Sequence, residues 1–243
     1  MLHLCQKICP CLSSKPEPQD NALPIRNKRV EKGRLHRDTY YISAATQGWR
    51  PSMEDRYCNF LHFQSGMQFY GVFDGHAGSH TAQMLTEHLF NIICAQETFR
   101  SATKNMDDYL SKNDPNYNNS NNQEMTDQEN KNTIAKKLST SLEVQKSISP
   151  QLNNQITNRY IQGISSGFIQ MDNQLSQDNQ IQIDISGSTG VVVMIDQIGN
   201  FYCSWLGDSR AIISHGGRAQ ELTYDHLPTN PEEYLRIKKA QMF

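Results

Sequence analysis

The sequence lacks any long apolar run. Across 243 residues no hydrophobic stretch approaches the ~18 residues that a membrane-crossing helix needs, and mean hydropathy is −0.66. Such a chain is expected to be soluble, or held at a membrane only by its end. A charge excess of one sign is also missing. The 23 Lys and Arg residues against 25 Asp and Glu leave a formal charge of −2, so a general nucleic-acid-binding role finds no support. The six cysteines do not form a disulfide pattern. Cys5, Cys9 and Cys11 crowd the N-terminus, whereas Cys58, Cys94 and Cys203 sit singly in apolar segments, as in a reducing compartment. The opening MLHLCQKICPCL has neither a long apolar core nor a small-residue cleavage site, so no secretory signal is read there. A cytoplasmic protein is expected.

Residues 1–38 show neither helical nor strand periodicity and are rich in proline, polar and then basic residues. They are expected to be a flexible appendage. The cysteine trio beside lysines and arginines is similar to an S-acylation site, which would bring peripheral membrane contact; a solvated tail with incidental thiols is the alternative. A zinc site is disfavoured, because no second ligand pair follows C-x3-C-x-C. Order is expected from Thr39. TYYISAATQG is strand-like, and RYCNFLHF and MQFYGVFDG read as a hairpin. From Ser79 to about Phe99 the period changes, with Ala82, Leu85, Leu89, Ile92 and Ile93 on one helical face. Residues 101–157 include an asparagine- and glutamine-rich tract that cannot bury a core, and are expected to be a disordered insertion in a domain spanning 39–243. A second helical stripe follows: Tyr160, Ile161, Ile164, Phe168 and Met171. STGVVVMID and NFYCSWLGD are strands joined at QIGN, RAIISHGG is another, and NPEEYLRIKKAQMF begins a helix at Pro231. Helices between groups of hairpin strands indicate an α+β fold.

Chemistry concentrates in three places. GWRPSMEDRY carries Arg50, Glu54 and Asp55; FDGHAG carries Asp74, Gly75 and His76; and GSTG, LGDSR and TYDHLP punctuate the later strands. If the strands around Tyr57 and Tyr70 pair as a hairpin, Glu54, Asp55 and Asp74 share one sheet edge. Carboxylates at a shared site repel one another unless a cation neutralises them, and all-oxygen donors suit Mg²⁺ or Mn²⁺ rather than zinc. Gly75 would let a backbone carbonyl approach an ion. Arg50 is a two-pronged donor suited to phosphate. Each element alone has a bland reading: Glu54 and Asp55 as a solvated pair, Asp74-Gly75 as a turn. His76 and His80 imitate a zinc helix but lack its glutamate base. Together they suggest phosphoryl chemistry.

GWRPSMED, YGVFDGHAG, SGSTG, LGDSR and TYDHLPTNP also resemble, in order and approximate spacing, the protein phosphatase 2C family of metal-dependent serine/threonine phosphatases. The resemblance runs from about Tyr40 to the C-terminus. It implies an antiparallel β-sandwich flanked by helices in four α-β-β-α layers, a centre of two Mg²⁺ or Mn²⁺ ions, phosphoprotein substrates, no nucleic acid and a monomeric state. Asp74 corresponds to the aspartate bridging both metals, Gly75 to the glycine whose carbonyl binds one, and Glu54 to a further ligand. Asp55 corresponds to an acid acting through water, and Asp172 to one linked to a third metal in some members. Arg50 corresponds to the phosphate-binding arginine and His76 to the proton donor for the leaving group. Asp208 and Asp225 correspond to aspartates expected to serve structure or outer support. In the implied mechanism a metal-activated water attacks phosphorus without a covalent enzyme intermediate.

The family pattern continues with further strands and helices and two more metal-ligating aspartates, which these 243 residues do not contain. The sandwich is therefore expected to be incomplete at its C-terminal side. Two expectations remain open: a fragment of an active phosphatase, or an inactive truncated homologue serving as a binding or decoy protein. A metal-dependent phosphodiesterase would share the ion chemistry but not the five motifs.

Overall fold

The computed structural model describes residues 23–36, 39–62, 66–114, 117 and 144–240. Four strands form the central antiparallel sheet: β3 (Arg56–His62), β4 (Met67–Phe73), β7 (Gly190–Ile195) and β8 (Phe201–Leu206), side by side in the order β3-β4-β7-β8. Alternation in β3 and β4 explains the two faces. Cys58, Phe60 and Arg56 pair with Gly71, Phe69 and Phe73 on one face, while Tyr57 and Asn59 pair with Val72 and Tyr70 on the other. The first face is covered by helices. Phe60, Phe69 and Phe90 pack together with ring centroids 4.4–5.1 Å apart, each such pair adding about 0.5–1.5 kcal/mol beyond its area. The second face meets the hairpin of β1 (Ile25–His36) and β2 (Thr39–Gly48). Asn59 donates to the Ser43 hydroxyl at 3.0 Å, and the Arg29 guanidinium lies 5.7 Å above the Tyr57 ring. Helix layer, sheet and hairpin make the α+β arrangement expected from the sequence.

Three long helices form the covering layer. Helix α1 (His80–Ala95) buries the Ala82, Leu85, Leu89, Ile92 and Ile93 stripe, as its period predicts. It ends earlier than expected, because Gln96 adopts extended backbone (φ −63°, ψ 135°). Its side chain bridges the Ile92 carbonyl and Gln170. The chain then restarts as α2 (Glu97–Asn113), placing Phe99 4.9 Å from the Tyr160 ring. Helix α3 (Pro150–Gln177) lies along both. Its first turn is capped by Ser149, which accepts from the Leu152 amide. Its buried stripe is Ile156, Tyr160, Gly163, Ile164, Gly167, Met171, Asp172 and Leu175. Ile161, expected in that stripe, is half exposed on its shoulder.

Short elements complete the chain. Helix α4 (Asn179–Asp184), capped by Asp178, precedes the two-residue bridge of β5 (Gly75–His76) with β6 (Gly187–Ser188). The hairpin of β9 (Ile212–His215) and β10 (Arg218–Glu221) turns at Gly216 and Gly217, both at positive φ. Helix α5 (Pro231–Lys239) has Glu232 and Glu233 in its first turn and Arg236, Lys238 and Lys239 in its last, favourable at both ends of the helix dipole. Among the described residues no helix is long and apolar enough to cross a membrane.

Two boundaries differ from those read in the sequence. The appendage assigned to residues 1–38 contains β1, whose pairing with β2 satisfies main-chain groups and needs no apolar period in its own side chains. The insertion assigned to 101–157 contains most of α2 and the start of α3. Phe99, Ala102, Met106 and Leu110 form a buried stripe in α2 that the surrounding polar composition obscured. Cys5, Cys9 and Cys11, with their acylation reading, and the asparagine-rich part of the insertion lie outside the described residues.

Candidate functional site

The hairpin register builds the site. Because Arg56 pairs with Phe73, the residue before β3 and the residue after β4 meet at one sheet edge: Asp55 and Asp74. Asp74 is anchored through its carbonyl, which accepts from the Thr189 amide at 2.9 Å and the Ser188 hydroxyl at 3.1 Å. Gly75 is pressed against the preceding loop, where a Cβ would collide with the Glu54 carbonyl oxygen. That backbone-to-backbone approach admits only glycine. The neighbouring His76 is half-buried, its ring set against Gly187.

The electrostatics centre on Asp74. Its side chain reaches solvent, yet its carboxyl is held above the ordinary value of 3.8. Desolvation by the crowded edge is the largest cause, followed by the charges of Asp55 and Asp208 and a hydrogen bond with Asp55; Arg50 opposes them. Three acidic side chains thus share this edge with one guanidinium. The trio differs from the one expected. Glu54 is half-buried, its Oε1 accepts from the Ser52 hydroxyl at 3.1 Å, and its carbonyl abuts Gly75. Asp208, expected to serve structure or outer support, adds its charge to those acting on Asp74.

The place of Asp208 near Asp74 follows from strand order. β4 and β8 run in the same direction, because each pairs antiparallel with β7. The loops after both strands therefore emerge at the same edge, which brings Asp208 toward Asp74. Asp225 does take a structural part: the Arg210 guanidinium donates to both its carboxylate oxygens at 2.7 Å and keeps its carboxyl low. Asp172 belongs to the helix layer, with 5% exposure on α3.

Among the described residues no three His, Cys, Asp or Glu side chains stand close enough together to hold a metal ion by themselves. The donors nevertheless fit a hard cation by chemistry. They are all oxygen, the charges of Asp55 and Asp208 add to desolvation in raising the Asp74 carboxyl, and Gly75 lets the Glu54 carbonyl close on the strand end beside Asp74. A pH trend follows. In EDTA, the contribution of Asp74 to stability is fully present below its unfolded value of 3.8 and is lost as pH rises through its raised folded value. Asp74→Asn is expected to remove that decline, seen by comparing unfolding midpoints of both proteins from about pH 3 to about pH 7.

Comparison with known proteins decides the family. The family model described as Protein phosphatase 2C matches residues 40–133 and 106–243, covering every residue of this edge. The chain belongs to the protein phosphatase 2C family. Protein phosphatase 2C homolog 2 of Schizosaccharomyces pombe is 30% identical over 226 residues, covering 90% of this chain and 46% of that protein. Protein phosphatase 1B of Rattus norvegicus is 30% identical over 205 residues, covering 82% and 41%. A serine-threonine phosphatase 2C structure from Toxoplasma gondii aligns over 89% of this chain and 57% of its own, at 19% identity and a TM-score of 0.46. This phosphatase 2C chain thus spans less than half the length of the curated relatives it matches. Its three half-buried cysteines, Cys58, Cys94 and Cys203, are free thiols, and burial pushes Cys58 and Cys94 up to about 12, away from nucleophilic use.

Proposed function

We propose that this chain carries the metal- and phosphate-binding edge of a protein phosphatase acting on phosphoserine and phosphothreonine. The observation that carries the reading is the strand register that sets Asp55 beside Asp74 at one sheet edge, where the charges of Asp208 and Arg50 also act on the Asp74 carboxyl. Asp74, Asp55, the Gly75 carbonyl and Glu54 are the groups that would hold Mg²⁺ or Mn²⁺, with Asp208 adding charge. A bound ion would supply Lewis-acid activation of a water for attack on phosphorus.

The remaining work falls to the chain's own residues. Arg50, exposed on the loop before Glu54, presents a planar fork that binds two phosphoryl oxygens and offsets their charge. His76, two residues from Asp74, delivers a proton to the departing serine or threonine oxygen. The carbonyl anchors from Thr189 and Ser188 keep Asp74 from following the substrate as charge moves. An intracellular setting belongs to the same reading, supported by the free thiols. The test is release of inorganic phosphate from a phosphothreonine peptide by the 243-residue chain with MnCl₂ or with EDTA. Turnover is expected only with the metal. Absence of both turnover and Mn²⁺ binding would defeat the reading.

A further inference from the structure

We infer that Arg56 is a positioning residue that locks the acidic loop to helix α1 and so sets the geometry of the cation site. The inference rests on the phosphatase reading above and deepens it.

Arg56 opens β3, and its side chain turns back over the loop that precedes it. Its Nη1 donates to the Met53 carbonyl at 3.0 Å and to the Asp55 carbonyl at 2.8 Å, gripping the peptide on both sides of Glu54. Its Nε donates to Gln83 Oε1 of α1 at 2.9 Å, and Gln83 in turn donates to Glu87 one turn further on. Through its backbone, Arg56 pairs with Phe73, the residue before Asp74. One residue therefore fastens the Asp55 side of the edge to the Asp74 side and to the helix that follows it.

The choice of partners matters as much as their number. All three acceptors are neutral: two carbonyls and a carboxamide. The guanidinium thus spends these bonds on backbone position, while the charges acting on Asp74 are those of Asp55, Asp208 and Arg50. The acidic edge keeps its negative charge for a cation. Arginine suits this task because its rigid fork donates in several fixed directions at once. A lysine ammonium reaches the same carbonyls only as a mobile point donor.

The loop has few other fastenings of this kind. Gln47 Nε2 holds the Arg50 carbonyl at 2.9 Å, and Ser52 meets the Glu54 side chain. Without Arg56, the Glu54 carbonyl loses its fixed seat against Gly75, and Asp55 loses the restraint that keeps it beside Asp74. Removing a group that orients ligands costs roughly 10–100-fold in metal affinity in metal sites generally.

The test titrates MnCl₂ into the 243-residue chain by calorimetry, using wild type, Arg56→Gln, Arg56→Lys and Gln83→Ala, and records each unfolding midpoint in EDTA. Arg56→Gln is expected to weaken Mn²⁺ binding by about 10-fold or more, with Arg56→Lys and Gln83→Ala between it and wild type. Gln83→Ala removes one half-buried partner on α1, so this variant is expected to stay folded in EDTA. It decides the matter if Arg56→Gln fails to fold, since weaker Mn²⁺ binding in that variant supports the clamp and unchanged binding overturns it. Wild-type affinity in a folded Arg56→Gln overturns the inference alone. A wild type that binds no Mn²⁺ overturns it together with the phosphatase reading.

Discussion

Asp74→Asn is expected to reduce Mn²⁺-dependent phosphate release on the order of 1000-fold, about 4 kcal/mol of transition-state stabilisation. The substitution keeps volume and shape and removes only charge, so the loss reports electrostatics rather than packing. Its effect on the metal-free fold should have the opposite sign. Asp74 is crowded by Asp55 and Asp208, and its carboxyl is held high by desolvation and by those charges. At neutral pH the ionised group opposes folding, and the amide relieves that repulsion. In EDTA the variant should therefore unfold at the same temperature as wild type or higher, while Mn²⁺ raises the midpoint of wild type alone. Phosphate release and a pair of thermal scans measure both effects. A variant retaining more than about a tenth of wild-type turnover, about 1.4 kcal/mol, would remove Asp74 from the centre of the site.

The largest stability effect is expected in the helix layer, where α3 packs along α1 and α2. Gly163 and Gly167 lie one turn apart on the buried stripe of α3. A Cβ at Gly167 would stand 2.5 Å from Ile93 Cγ1 and 2.9 Å from its Cα, and one at Gly163 would stand 2.7 Å from Phe99 Cβ. Both contacts involve backbone or Cβ atoms, which cannot rotate away. Alanine at either position gains about 1 kcal/mol of helix propensity but spreads the helices, and overpacking costs typically 1–3 kcal/mol. Gly167→Leu adds more volume against the Ile93 backbone and is expected to cost about 3 kcal/mol. Ser166→Leu, one residue away on the exposed face, should stay within about 0.5 kcal/mol of wild type. Denaturant midpoints of the two variants test the difference. Equal midpoints would mean that α3 does not depend on this close approach.

The two sites illustrate what could be read without coordinates. The hairpin of β3 and β4 follows from alternation, and that register is enough to place Asp55 against Asp74. Helices α1 and α3 follow from their periods, and α5 from Pro231 and its ordered charges. Other features stayed hidden. Gly163 and Gly167 carry no apolar signal of their own, and their role lies in the close approach of α1 and α2. Arg56 gives no signal of its role in the sequence, because its partners lie on a loop it follows and a helix 27 positions away.

By itself, the sequence determined the local periods, the turns and the residue types at the acidic edge, since each depends on neighbours within a few positions. Tertiary structure alone decided that β1 joins the fold, that Asp208 rather than the Glu54 side chain charges Asp74, and that Arg56 holds the loop to α1. Strand order and side-chain reach couple residues far apart in the chain, and no local period encodes which distant segments will meet.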